Sequence, residues 1–236
     1  MITRSRLGLC IALITALGLL LLEGCGKPKK VVLPPITEGW KKHSAVQNGY
    51  VIQPKDSLYS IAWAFGLDYR FLAEINHLQY PYKLRSGQRL LITVPTTKKL
   101  DEIKKGKIIS KLEAWRWPTQ GKLIAKPALA KENHKNQGID IAGTLDQTIF
   151  ASNHGTVVYA GTGIKFYGKL IIIKHSDDCL SAYAYNKEIW VTEGDIVNAG
   201  QKIASMGYHR SGKAMLHFEI RMKGIPVNPL NYLPKN

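Results

Sequence analysis

Apolar positions along this 236-residue chain fall into three regimes. A continuous run from Leu7 to Leu22 follows Arg4 and Arg6 and ends in Leu22-Glu23-Gly24-Cys25; it is short for a relaxed membrane span of ~20 residues. A mixed pattern follows between Gly49 and Val94. Tyr50-Val51-Ile52 reads as a strand and Pro54-Lys55-Asp56-Ser57 as a turn. Leu58, Ile61, Ala62 and Phe65 then recur at i, i+3, i+4 and i+7, which predicts a helix capped by Asp56 or Ser57 and stopped by Gly66. Asp68 opens a second helix with Phe71, Leu72 and Ile75 on one face and Asn76 at its end, and Leu90-Leu91-Ile92 closes the segment as a strand. From Trp115 to Leu233 short apolar strands alternate with glycine turns, as in 155–159, 170–174 and 216–220, and predict an antiparallel β domain. The expected fold class is α+β: a small strand–helix–helix–strand (βααβ) module near the lower size limit for a core without staples, then a mainly antiparallel β domain.

Polar stretches divide these regimes. A basic, proline-containing segment after Cys25 reads as an extended tether, and the lysine-rich stretch from Thr96 to Lys111 as a linker. The expected organisation is a signal at 1–24, a lipidated Cys and tether at 25–48, the module at 49–94, a linker at 95–113 and the β domain at 114–236. Charge is lopsided, with 33 Lys and Arg against 17 Asp and Glu, a formal +16. Such an excess implies nucleic acid, anionic lipid or an acidic wall polymer as surroundings. The N-terminus chooses among them. A basic start, an apolar core and a small residue before a cut describe a secretory signal. Leu-x-Gly-Cys further resembles the lipobox of bacterial lipoproteins, which implies acylation of Cys25; the alternative is an uncleaved anchor with an incidental Cys. Gly26 stands where an inner-membrane retention signal carries Asp, so the resemblance implies a lipid-anchored protein on the periplasmic face of the outer membrane. Export removes nucleic acid as a partner and leaves peptidoglycan carboxylates and acidic lipid. Cys10 lies in the signal and Cys25 would carry lipid, so Cys179 has no partner for an internal disulfide and reads as a packing residue.

Within the module, Tyr50 with Asp56-Ser-Leu-Tyr-Ser-Ile-Ala62, then Leu72-Ala-x-x-Asn76 and Ser86-Gly-Gln-Arg-Leu90, resemble a LysM domain. That resemblance implies binding to N-acetylglucosamine-containing glycan in a shallow groove, here formed by Asp56, Ser57, Leu58 and Tyr59 with Leu78, Gln79 and Tyr80. Backbone polar groups would meet N-acetyl groups while apolar side chains cover sugar faces. The competing reading makes Tyr59 and Leu78 core residues and Asp56 a cap.

In the β domain, Trp117-Pro-Thr-x-Gly121, Gly138-Ile-Asp-Ile-Ala142, Gly155-x-Val-Val-Tyr-Ala-Gly161, Gly200-Gln-x-Ile203 and Leu216-His-Phe-Glu219 resemble, in order, the lysostaphin-type (LytM-like) metallopeptidases. Those enzymes hold zinc with the His and Asp of His-x-x-x-Asp and the last His of His-x-His, leaving an open position for water. Here Asn136 stands at the first ligand position, Asp140 and His217 are retained, Tyr185 replaces a helper histidine and Met215 the first His of His-x-His. The resemblance therefore implies a vestigial site with no catalytic residues, no metal and no cofactor. His134 is about 6–7 Å from Asn136 along an extended chain, too far to substitute without buckling; His154, His175 and His209 read as surface or hydrogen-bonded residues. Lipobox, LysM and degenerate LytM domain together, with Leu170-Ile-Ile-Ile-Lys-His-Ser-Asp-Asp178, Ala199-Gly-Gln-Lys-Ile-Ala-Ser-Met-Gly207 and Val227-Asn-Pro-Leu-x-Tyr-Leu-Pro234, resemble the NlpD-type murein hydrolase activators. The family implies a partner, a periplasmic N-acetylmuramoyl-L-alanine amidase that splits septal wall, and a docking cleft floored by Asn136, Asp140, Tyr185, Met215 and His217. Tyr185 and the His209-Arg210 loop depart from the family pattern. Two other classes stay open: a structural tether between outer membrane and wall, and a zinc endopeptidase with an unorthodox ligand set.

Overall fold

In the computed structural model, residues 49–93, 115–127 and 136–235 are described. Cys25, both polar tethers and His134 lie outside the described residues. The module is built as expected. β1 (Gly49–Val51) pairs antiparallel with β2 (Arg89–Leu91), Tyr50 opposite Leu90, around α1 (Leu58–Phe65) and α2 (Tyr69–Ile75). Ser57 caps α1: its hydroxyl accepts from the Ser60 N–H while the Ser60 hydroxyl accepts from the Ser57 N–H, a reciprocal box that satisfies two orphan donors. Gly66 ends the helix with φ 64°, a left-handed conformation that costs glycine little. Asp68 caps α2, and Asn76 at its end bonds the N–H and carbonyl of Leu91, pinning the second strand to the helix terminus. That strand starts one residue earlier than the apolar run suggests, because register with Tyr50 turns Leu90 inward and leaves Leu91 half exposed.

The second domain is a sheet of antiparallel strands: β3 (Leu123–Ala125), β4 (Ile139–Ala142), β5 (Thr148–Phe150), β6 (Gly155–Gly161), β7 (Lys169–Lys174), β8 (Cys179–Ile189), β9 (Ile196–Val197), β10 (Lys202–Met206), β11 (Met215–Met222) and β12 (Ile225–Val227). Spatial order is β3-β4-β11-β8-β7-β6-β9; β10 joins β5 and the far end of β8, and β12 joins β11. Side chains alternate across this sheet with period two. One face, including Ile139, Ile171, Ile173, Tyr183, Leu216, Phe218 and Ile220, builds a core with Trp115, Ile203 and Met206.

An antiparallel sheet commonly leaves its second face to water, yet every residue of β11 is buried. The module explains this. Leu170, Ile172, Leu180, Ala182 and Ala184 on the second face form one apolar cluster with Ile61, Trp63, Leu67, Tyr69 and Leu72. The two segments that read as separately foldable thus share a core. Trp63 and Ala64 lie off the i, i+3, i+4 stripe of α1 and are nonetheless 1% and 3% exposed, because the sheet covers that side of the helix. Each large apolar side chain buried in this way contributes about 1.5–3 kcal/mol, which a module of this size needs. Cys179 is fully buried, and burial followed by the Asp178 charge pushes its thiol up to about 12, as a packing role requires.

His175 is a second buried polar group. Its Nδ1 donates to the His154 carbonyl at 2.6 Å, its Nε2 lies 2.7 Å from the Ser181 hydroxyl, and its ring meets Trp115 edge-on. Burial holds its pKa down to about 4 from 6.5. An unfolded chain takes up this proton first, so stability present above the unfolded pKa is lost as pH falls from about 6.5 toward 4. Comparing urea unfolding at neutral and mildly acidic pH, His175→Gln should lose less stability on acidification than the parent; an unchanged pH slope would refute this role.

Candidate functional site

Neighbouring strands bring the expected cleft residues together. β11 and β4 pair with His217 opposite Asp140, and His217 faces Ala184 of β8 on its other side. His217 Nδ1 donates to Asp140 Oδ1 at 2.6 Å. The other oxygen, Oδ2, accepts from the Asn136 amide at 3.0 Å, and the Asn136 carbonyl in turn accepts from the Gly138 N–H. Tyr185 sits at φ 66°, with its ring 6.0 Å from that of His217 and 4.8 Å from that of His209. Met215 is buried on the same face, two residues before His217.

Three residues to which the motif reading gave no site role complete this floor: Tyr167, Glu219 and Arg221. Glu219 Oε1 accepts from His217 Nε2 at 2.9 Å and from the Tyr167 hydroxyl at 2.7 Å. Glu219 Oε2 accepts from Arg221 Nε and Nη2 at 3.0 and 2.9 Å. Arg221 reaches on: Nη1 donates to the Trp63 carbonyl at 2.7 Å, Nη2 to Gln137 Oε1 at 3.0 Å, and its guanidinium lies 3.7 Å from the Trp63 ring centre. The signal was present in the strand, since His-x-Glu-x-Arg puts three polar side chains on one face of an otherwise apolar run.

Charge alternates along the row. Burial opposes a charge on His217, but hydrogen bonds to Asp140 and Glu219 and their charges prevail and raise it to about 9. Burial likewise opposes ionisation of Glu219, but Arg221 and His217 lower it to about 2. At neutral pH the row reads carboxylate, imidazolium, carboxylate, guanidinium.

A zinc ion does not fit this donor set. Three protein ligands are needed, and here one position is an amide that spends its nitrogen on Asp140, while both nitrogens of the single imidazole are bonded to carboxylates. Among the described residues, no group of three or more His, Cys, Asp or Glu could hold a metal. His154 bonds Asn153, and His209 bonds Ser211 while its ring meets that of Tyr185.

On the module, the glycan candidates separate by environment. Asp56 accepts from the Tyr50 hydroxyl at 2.6 Å and from the Gln53 N–H. The Ser57 hydroxyl, besides capping α1, donates to the Val158 carbonyl at 3.3 Å. Leu58 is 1% exposed, so its side chain belongs to the core rather than to a groove surface. Tyr59 is half-buried against Tyr69 at 4.6 Å and meets Tyr82 edge-on. Leu78 is half-buried, Gln79 exposed, and Tyr80 is 81% exposed with its ring 5.9 Å from Tyr82. A row of aromatic rings therefore runs from Tyr69 to an open end at Tyr80.

Comparison with known proteins agrees with both halves. Residues 134–229 match the family model described as Peptidase family M23, and residues 50–93 match the LysM domain. The chain is 35% identical over 230 residues to the "Lipoprotein NlpD/LppB homolog" of Pseudomonas aeruginosa, spanning 79% of this chain and 77% of that one. It is also 35% identical over 258 residues to "Murein hydrolase activator NlpD" of Escherichia coli K12, covering 79% and 68% respectively. "Outer membrane antigenic lipoprotein B" of Haemophilus influenzae is 32% identical over 269 residues, covering 83% and 66%.

The donor set predicts that the purified chain takes up less than stoichiometric zinc, and that Asn136→His, by restoring a third donor, raises occupancy toward one ion per chain. Elemental analysis after dialysis decides it. Full zinc occupancy in the parent would show that a ligand outside the described residues completes the site.

Proposed function

We propose, since this chain belongs to the NlpD-like family of murein hydrolase activators, that it is an outer-membrane lipoprotein that grips peptidoglycan and switches on a periplasmic N-acetylmuramoyl-L-alanine amidase for septal wall splitting, without cutting the wall itself. The observation that carries this reading is the floor of the cleft. An M23-type sheet is retained, yet the positions that would present zinc and water hold Asn136, Asp140 and His217 in a closed hydrogen-bond row continued by Glu219.

Such a floor suits recognition rather than hydrolysis. Fixed polar groups at the base of a concave surface orient a bound segment, and the apolar parts of Tyr185 and Met215 beside them supply contact area. Activation then works by population shift: this protein binds the open amidase better than the closed one. Moving a partner from 1% to 99% open takes a preference of about 10⁴-fold, so weaker selectivity gives partial activation. LysM contact with glycan and acylation of Cys25 on the periplasmic face of the outer membrane place the activator between wall and membrane. There its basic excess meets wall carboxylates through contacts that salt weakens.

Dye release from labelled peptidoglycan tests this, using the chain from residue 26 with and without an amidase. No release by the chain alone, with about tenfold or greater enhancement of the amidase, is the expected result. Metal-dependent release by the chain alone would make it an endopeptidase. A chain lacking residues 114–236 that still supports normal cell separation would make it a tether.

A further inference from the structure

The module and the sheet turn their candidate binding surfaces toward each other. On the module side, Ser57 spends its hydroxyl on the Val158 carbonyl of β6, and Tyr69, which stacks on Tyr59, lies under the Lys174 ammonium and 3.4 Å from Asp177. Arg70 pairs with Asp178 at 2.6 Å. On the sheet side, Ala182 and Ala184 of β8 and Glu219 and Arg221 of β11 are at most 1% exposed beneath the module, immediately next to His217. Fit at the seam is close: a Cβ on Gly224 would fall 2.5 Å from the backbone of Leu67 and Asp68. The end of the cleft beyond His217 is therefore occupied by α1 and the residues that follow it.

We propose that the LysM module is a reversible lid on the partner cleft, and that glycan binding and partner docking promote each other by lifting it. This rests on the activator reading given above. Both ligands need the same movement. A glycan of β-linked N-acetylglucosamine units that engages Ser57 and Tyr59 must break the Ser57–Val158 bond and shift Tyr69, behind Tyr59, from Lys174 and Asp177. A protein segment lying along the sheet past His217 must displace α1. Opening uncovers His217, Glu219 and Arg221, which water solvates, and the apolar cluster that Trp63, Leu67 and Tyr69 share with Leu170, Ile172 and Ala182. Each bound ligand offsets that exposure by covering the face freed on its own side, and the pair that crosses the perimeter, Arg70–Asp178, is partly solvent-exposed. By linkage, whatever factor glycan adds to partner affinity, the partner adds to glycan affinity.

A double variant, Ser57→Cys with Val158→Cys, tests the lid in the chain from residue 26; Cys179 is fully buried and leaves the new thiols to pair. Two readouts separate this proposal from the activator reading. First, soluble N-acetylglucosamine hexamer should slow disulfide formation between the pair, with no amidase present. Second, in the dye-release assay the oxidised variant should activate an amidase at least about tenfold less than the same variant reduced. Equal activation by oxidised and reduced forms would overturn the lid. So would a disulfide rate indifferent to the hexamer. Absence of activation by the parent itself would fail the activator reading alone, leaving the disulfide rate to decide. Ala182→Glu, which puts a charge beneath α1, serves if the thiols do not pair: it should raise activation in the absence of glycan, and unchanged or lowered activation by a folded variant would count against the lid.

Discussion

Four alternating charges, Asp140, His217, Glu219 and Arg221, cross a sheet face whose buried neighbours are mainly apolar. Each is tolerable only because its neighbours are in place. A buried carboxylate such as Glu219 needs both the guanidinium on one side and the imidazolium on the other, and removing one partner from a buried pair typically costs about 3–5 kcal/mol. The row also sets the arrangement of the whole molecule. Its last member, Arg221, donates to Gln137 within the sheet domain and, across the seam, to the Trp63 carbonyl, while its flat face covers the Trp63 ring. Charge compensation along the row and docking of the module are thereby one connected structure.

That connection gives an M23-type sheet a closed polar row at the positions where the resembling peptidases hold zinc. A zinc site would supply a positive charge against Asp140; with an amide at position 136, the protonated His217 supplies it instead. Small residues under the module, Ala182 and Ala184, leave room for α1 where larger side chains would hold it off. An eight-residue helix with little cooperativity of its own gains its second wall from a neighbouring domain.

Much of this was legible in the residues. Local rules narrowed the first cap to Asp56 or Ser57 and located the second at Asp68, the stop at Gly66 and the period-two strands, because each depends only on near neighbours. The pairing of Asp140 with His217 followed from the resemblance to a peptidase whose ligands sit on adjacent strands. Burial of Trp63 was not legible, since what covers it lies 158 residues away, at Arg221. Leu58 was expected at a glycan surface, but the same helical stripe that predicted α1 turns its side chain into the core. Glu219 closed the quoted strand motif and Arg221 continued its alternation, yet a comparison with zinc ligands assigns neither of them a role.

A double-mutant cycle between Trp63 and Arg221 tests the central claim most directly, with Trp63→Leu, Arg221→Met and the two combined, compared by chemical unfolding of the chain from residue 26. If the guanidinium joins the row to the module through the Trp63 ring, the two changes fall short of additivity by about 1 kcal/mol or more, as contacting residues do. Additive losses would contradict the account, and would mean that the row and the module are stabilised independently.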